Sequence, residues 1–145
     1  MKTPWHVWVV GIVTLLWNAG GAFDYLMAKM ANPPYLAMIP EADRALYTTY
    51  LEAMPVWAVS GWALGVWGSV LGSVLILMRS RHAFAAIIVA LAGLVVTTAY
   101  TFVLAPPLPY TTLSPSGLAF TAGIVGVFLA MIFYIRRQTA AGNLR

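Results

Sequence analysis

The chain has 145 residues, of which 61% are hydrophobic and 8% charged. Soluble domains carry about a quarter charged residues to keep their surface wet, so this composition excludes a water-borne fold and fits one solvated by lipid, where hydrocarbon meets Leu, Val and Ile directly. The net charge of +4 sits at the ends of apolar runs instead of on one basic face, which argues against nucleic acid as a partner, and the absence of cysteine excludes disulfides, Cys-ligated metals and thiol chemistry.

A membrane helix needs roughly 20 mainly apolar residues to cross about 30 Å of hydrocarbon. Four segments meet this, residues 5–25, 55–78, 83–105 and 118–135. They predict a single transmembrane domain over residues 1–145, an all-α integral membrane four-helix bundle with the lipid bilayer as its main partner.

The first segment follows Lys2 and carries Trp5, Trp8 and Trp17 as aromatic anchors. Its basic start, apolar centre and small residues at Gly20 to Ala22 also match a secretory signal peptide, whereas the tryptophans favour a retained span. At about 100° per residue, Trp17, Gly20, Gly21 and Asp24 share one face, with Asn18 and Tyr25 just beside it. Polar groups in lipid need partners, so this face is expected to point into the bundle. Two readings of it stand. Asp24 is the ionisable member of a solute or proton site, or it is a helix-end residue meeting Lys29 while Asn18 bridges two helices.

Pro33 and Pro34 stop the first helix, because proline lacks the amide donor and restricts the residue before it. Pro40 suits a first helical turn, and the charges of Glu41 and Asp43 favour a helix N-terminus. Leu46, Tyr47, Tyr50, Leu51 and Met54 then recur at intervals that gather them on one face. This predicts a short amphipathic helix over residues 41–54 on the outer membrane surface.

The second span carries Gly61, Gly65, Gly68 and Gly72 with Ser69 and Ser73, two overlapping small-residue patterns that let helix backbones approach closely. The pattern serves packing within the chain first, and only secondarily a homo-oligomer or a partner membrane protein. Trp57 suits the outer interface, and Trp67 lies too deep for it, so Trp67 either lines a ligand cavity or fills the bundle. The turn Arg79, Ser80, Arg81, His82 is short enough to make the second and third spans an antiparallel hairpin.

Thr97, Thr98, Tyr100 and Thr101 make the outer half of the third span polar. With Asn18, Asp24, Tyr25 and Trp62 they form a candidate outward-facing binding pocket, although threonine hydroxyls also bond back to their own helix. A proline-rich connector with Pro106, Pro107, Pro109, Tyr110 and Pro115 follows, over residues 106–116. His6 and His82 lie near one membrane face, where a shared haem or metal and plain interfacial solvation are the alternatives. The sequence contains no nucleophile with a base, no intramembrane carboxylate pair and no phosphate-binding glycine loop, so neither an enzyme nor a cofactor or metal protein is expected.

Orientation follows the basic residues, which are retained on the cytoplasmic side during insertion. Lys2, Arg79, Arg81, Arg136, Arg137 and Arg145 fall on one side, and Lys29 and Arg44 on the other with all four acids. Both termini are therefore expected in the cytoplasm. The run Leu16, Trp17, Asn18 followed by Asp24 and Tyr25, the stretch from Leu51 to Trp57, and Trp62 and Ala63 through Gly68, Gly72 and the Arg79 turn resemble a family of small uncharacterised four-helix bacterial inner-membrane proteins. Some of its members are loosely labelled sugar transporters. The resemblance implies a bacterial inner-membrane location. The expected function is that of a non-enzymatic accessory or binding and packing protein. The alternative is a small-solute or proton-coupled transporter built on Asn18, Asp24, Tyr25, Trp62 and Tyr100.

Overall fold

The computed structural model describes residues 4–108 and 112–145. Lys2, Pro109 and Tyr110 of the sequence analysis lie outside the described residues. Among the described residues six helices follow one another: α1 (Trp5–Lys29), α2 (Pro33–Leu36), α3 (Glu41–Ala53), α4 (Val56–Leu77), α5 (Ala83–Ala99), continued by a π-helical turn at Tyr100–Leu104, and α6 (Pro115–Ala140). There is no strand among the described residues. α1, α4, the α5–π-turn unit and α6 are long and apolar enough to cross a membrane, the architecture of a multi-pass membrane protein.

Two spans, α1 and α6, run further than the apolar stretches alone indicate, while α4 and the α5–π-turn unit keep close to them. α1 gains a turn, to Lys29, and closes in a Schellman motif: Asn32 N–H donates to Met27 O and Ala31 N–H to Ala28 O, with Ala31 at φ 47°. The chain has turned before it meets Pro33 and Pro34. These prolines stand in the first turn of α2, whose N-cap Asn32 accepts from Tyr35 N–H at 3.1 Å. α4 closes the same way, with Arg79 at φ 57° and Ser80 N–H donating to Leu75 O. α6 starts three residues before the apolar run because Ser114 caps it, accepting from Gly117 N–H at 3.1 Å, and Pro115 is preset for a first turn.

The most extensive packing is α4 on α5, followed by α1 on α4 and α6 on α5. α6 meets α1 through side chains: His6 Nδ1 lies 2.8 Å from Tyr134 Oη, and Trp17 and Phe120 rings stand 6.3 Å apart. One buried cluster fills the end bearing the termini, with Val7, Ile76, Ile87, Met131, Ile135 and Leu144, and a second lies under α3, with Tyr50, Met54, Ala58, Tyr100 and Leu108. The remaining helix surface exposes Leu16, Phe23, Val103 and Phe133, groups that hydrocarbon solvates.

The glycines of α4 lie in the α4–α5 seam. A Cβ on Gly61 would meet Val96, on Gly65 the backbone of Leu94, on Gly68 Ala90 and on Gly72 Ile87, while Gly93 of α5 answers with its own close approach to the Gly61 carbonyl and Gly65 amide. Such contacts trade side-chain volume for backbone proximity, which is what holds helices together where no hydrophobic drive exists.

The face of α1 expected to point inward points outward. Trp17 and Asp24 are exposed, and nothing lies within 4 Å of a Cβ built on Gly20 or Gly21. The buried line is Val7, Gly11, Asn18 and Ala22, with Tyr25 half-buried. Small residues without bulk to bury follow lipid contact as readily as helix contact, and the hydrogen bonds of Asn18 set the rotation of α1. Trp67 does not fill the bundle, being 46% exposed on the outside of α4.

Candidate functional site

Asn18 is buried at mid-span. Its Nδ2 donates to Ser69 O at 3.2 Å and to Ser73 Oγ at 2.9 Å, and lies 3.8 Å from Met131 Sδ. Ser73 Oγ itself donates to Ser69 O, so a closed polar knot ties α1 to α4. Polar side chains in hydrocarbon are costly unless they pair, and here the donors of Asn18 are spent internally.

A second polar group forms at the α3 end. Asp24 accepts from Tyr35 Oη at 2.8 Å, and Tyr35 and Tyr47 hydroxyls lie 3.3 Å apart. The Lys29 partner expected for Asp24 is replaced by this phenol, because the turn at Ala31 folds α2 back over the end of α1. Tyr50 Oη lies 2.9 Å from Thr101 Oγ1, which also donates to Thr97 O at 2.9 Å. The π-helical turn, closed by Ala105 N–H to Tyr100 O at 2.8 Å, sets Thr101 toward α3 while Tyr100 stays buried. Burial pushes the phenols of Tyr35, Tyr47 and Tyr50 up from the ordinary tyrosine range, and the bonds to Tyr47 and Asp24 add to the effect at Tyr35.

Ring contacts connect the residues around these groups. Tyr25 stands edge-on to Trp62 at 4.9 Å, Trp57 edge-on to Tyr100 at 5.7 Å, and Tyr50 is tilted over Tyr100 at 5.7 Å. Of the residues read from sequence as a pocket, Tyr25, Trp62 and Tyr100 belong to or pack against the α3-end aromatic cluster, and Asp24 sits at its rim through Tyr35. Asn18 belongs to the separate knot deeper in the bundle. His6 bonds Tyr134 on α6, and His82 is exposed at the α4–α5 turn.

One residue of this end escaped the sequence reading. Asp43, whose charge favours a helix N-terminus, is fully buried with neither carboxylate oxygen hydrogen-bonded. At the third position of a helix a carboxylate normally reaches back to the N-cap amide, but the N-cap of α3 is Pro40, which has none. The signal was the spacing of Asp43, Tyr47, Tyr50 and Met54, four, three and four residues apart, which puts the acid on the inward face. Arg44, the next residue and exposed, clamps the α2–α3 connector by donating to the carbonyls of Leu36, Ala37 and Ile39.

Beside this cluster lies a half-open hollow of about 490 Å³ between the end of α1, α3 and the start of α4, with Lys29 and Glu52 on its wall. Among the described residues no three metal-ligating side chains come together. Fold and site define a four-helix multi-pass membrane bundle with an aromatic cap over one end. Comparison with family models, curated proteins and solved structures gives no match.

Proposed function

We propose that this chain is a non-catalytic binding or accessory protein of the bacterial inner membrane, with both termini in the cytoplasm and α3 on the outer side. The observation that carries this reading is the ring packing under α3, where Tyr25 meets Trp62 and both Trp57 and Tyr50 meet Tyr100, so that these aromatic side chains are engaged with one another. The closed knot of Asn18, Ser69 and Ser73 supports it too, since a carrier's deep polar groups are kept available for cargo. The orientation rests on the basic residues, Arg79, Arg81, Arg136, Arg137 and Arg145 at one end against Lys29 and Arg44 at the other. The inner-membrane location rests on the sequence resemblance. The alternative, a small-solute or proton-coupled carrier, is favoured by one observation, the buried Asp43 carboxylate without a partner.

Proteoliposomes separate the two. Fluxes of protons and of neutral sugars equal to those of empty vesicles are expected, whereas a flux abolished by Asp24→Asn or Asp43→Asn overturns the accessory reading. Reporter fusions after Arg145 are expected to be active only on the cytoplasmic side.

A further inference from the structure

We propose that the hollow between the end of α1, α3 and the start of α4 holds the headgroup of a zwitterionic phospholipid, the phosphate at Lys29 and the ammonium at Glu52. The inference deepens the binding reading of the previous subsection and rests on it for the membrane setting alone.

The volume of about 490 Å³ is that of a small-molecule site. Its wall carries one cation and one anion, Lys29 on the last turn of α1 and Glu52 on the last turn of α3, over an apolar floor that includes Ala28, Leu51, Met54 and Val59. Both charged residues are exposed, and neither forms an ion pair or hydrogen bond within the described residues, although they line the same space. Opposite charges set on one wall without closing on each other fit a ligand that carries both signs. A simple anion satisfies only Lys29 and is repelled by Glu52; a simple cation meets the reverse.

Depth selects a lipid over a free zwitterion. Lys29 is the last residue of one span and Val56 the first of the next, so the hollow opens where hydrocarbon gives way to headgroups. Val56, on the same wall, is 82% exposed and offers an acyl chain an apolar track leading down α4 from the charges. Lysine suits this depth because its stem lies along apolar surface while its ammonium reaches the phosphate plane.

The test uses the delipidated full chain in detergent, titrated with phosphatidylethanolamine, with phosphatidylglycerol of identical chains and with free phosphoethanolamine, bound adducts being counted by native mass spectrometry. One phosphatidylethanolamine per chain is expected, preferred over phosphatidylglycerol by roughly tenfold, the worth of one charge-assisted contact. Lys29→Met should weaken both lipids, Glu52→Gln should erase the preference, and Glu41→Gln, outside the hollow, should change neither. Equal binding of the two lipids by the unaltered chain overturns the proposal, as does indifference to both substitutions or binding of phosphoethanolamine as strong as that of the lipid. A lipid result of either kind leaves the flux measurement untouched, so the two readings fail separately.

Discussion

Replacing Gly93 with alanine adds one methyl group at the point where α4 and α5 come closest. The new Cβ would stand 2.5 Å from the Gly61 carbonyl oxygen and 2.6 Å from the Gly65 amide nitrogen, both backbone atoms that no rotamer change can move. Ordinary contact begins at 3.4 Å, so the helices must part by close to 0.9 Å at this level. A gap of that size forfeits a quarter to a half of the dispersion well for every facing atom pair. Overpacking of this kind costs about 1–3 kcal/mol, and rigid backbone obstacles place Gly93→Ala near the upper end. Alanine returns up to about 1 kcal/mol of helix propensity, leaving a net loss near 2 kcal/mol. Gly20→Ala is the internal control, because nothing lies within 4 Å of its Cβ and only the propensity gain of about 1 kcal/mol remains. Reversible unfolding in mixed micelles, followed by tryptophan fluorescence, should separate the two variants by about 3 kcal/mol, roughly a hundredfold in the unfolding constant. Equal stabilities would refute the claim that this seam is limited by backbone contact.

Asn18→Ala should cost only about 1–2 kcal/mol in the same assay, since interhelical hydrogen bonds in membranes average about 0.6 kcal/mol and Ser73 keeps its bond to Ser69 O; a loss above about 4 kcal/mol would mean the knot holds more than these bonds. Asp43→Ala should raise stability by about 1–2 kcal/mol by removing a buried carboxylate with no donor. A fall instead would show that Asp43 is engaged. Ala31→Gly should stabilise by about 1 kcal/mol, because the residue sits at φ 47° where a Cβ is penalised. The phenols of Tyr35, Tyr47 and Tyr50 have folded-state values above the ordinary one near 10. Their contribution to the cap is therefore complete below pH 10 and is lost as pH rises further. Ultraviolet tyrosinate titration should show late-ionising groups that vanish in the triple Tyr→Phe variant, and an ordinary single transition in the unaltered chain would count against a buried cap.

The four spans and the short helix α3 were legible because lipid and water impose length and periodicity directly on composition. Rotation was harder. The outward placement of Trp17, Gly20 and Gly21 could not be read from α1, since a glycine face suits lipid and a neighbouring helix equally, and only the Asn18 bonds to α4 decide between them. Small-residue spacing in α4 likewise names an interface without its partner, and the reciprocal Gly93 identifies that partner as α5. Asp24 met Tyr35 instead of Lys29 because a left-handed alanine reversed the chain, a conformation that residue type seldom advertises. Asp43 is ambiguous in sequence because an acid in a first helical turn already satisfies the helix dipole, while its register with Tyr47, Tyr50 and Met54 turns it inward.

The stretch after α6 has a consequence for the order in which the molecule closes. Leu144 is buried with Val7, Ile76 and Ile87, and the Arg145 backbone donates to Arg79 O at 2.8 Å while its carbonyl accepts from Arg81 N–H at 3.0 Å. These residues leave the ribosome after both helices whose junction they fasten. The α4–α5 hairpin must therefore wait, with its turn unlatched, until the final span has been threaded into the bilayer, and a bulky extension placed just before Leu144 would keep that latch from ever engaging.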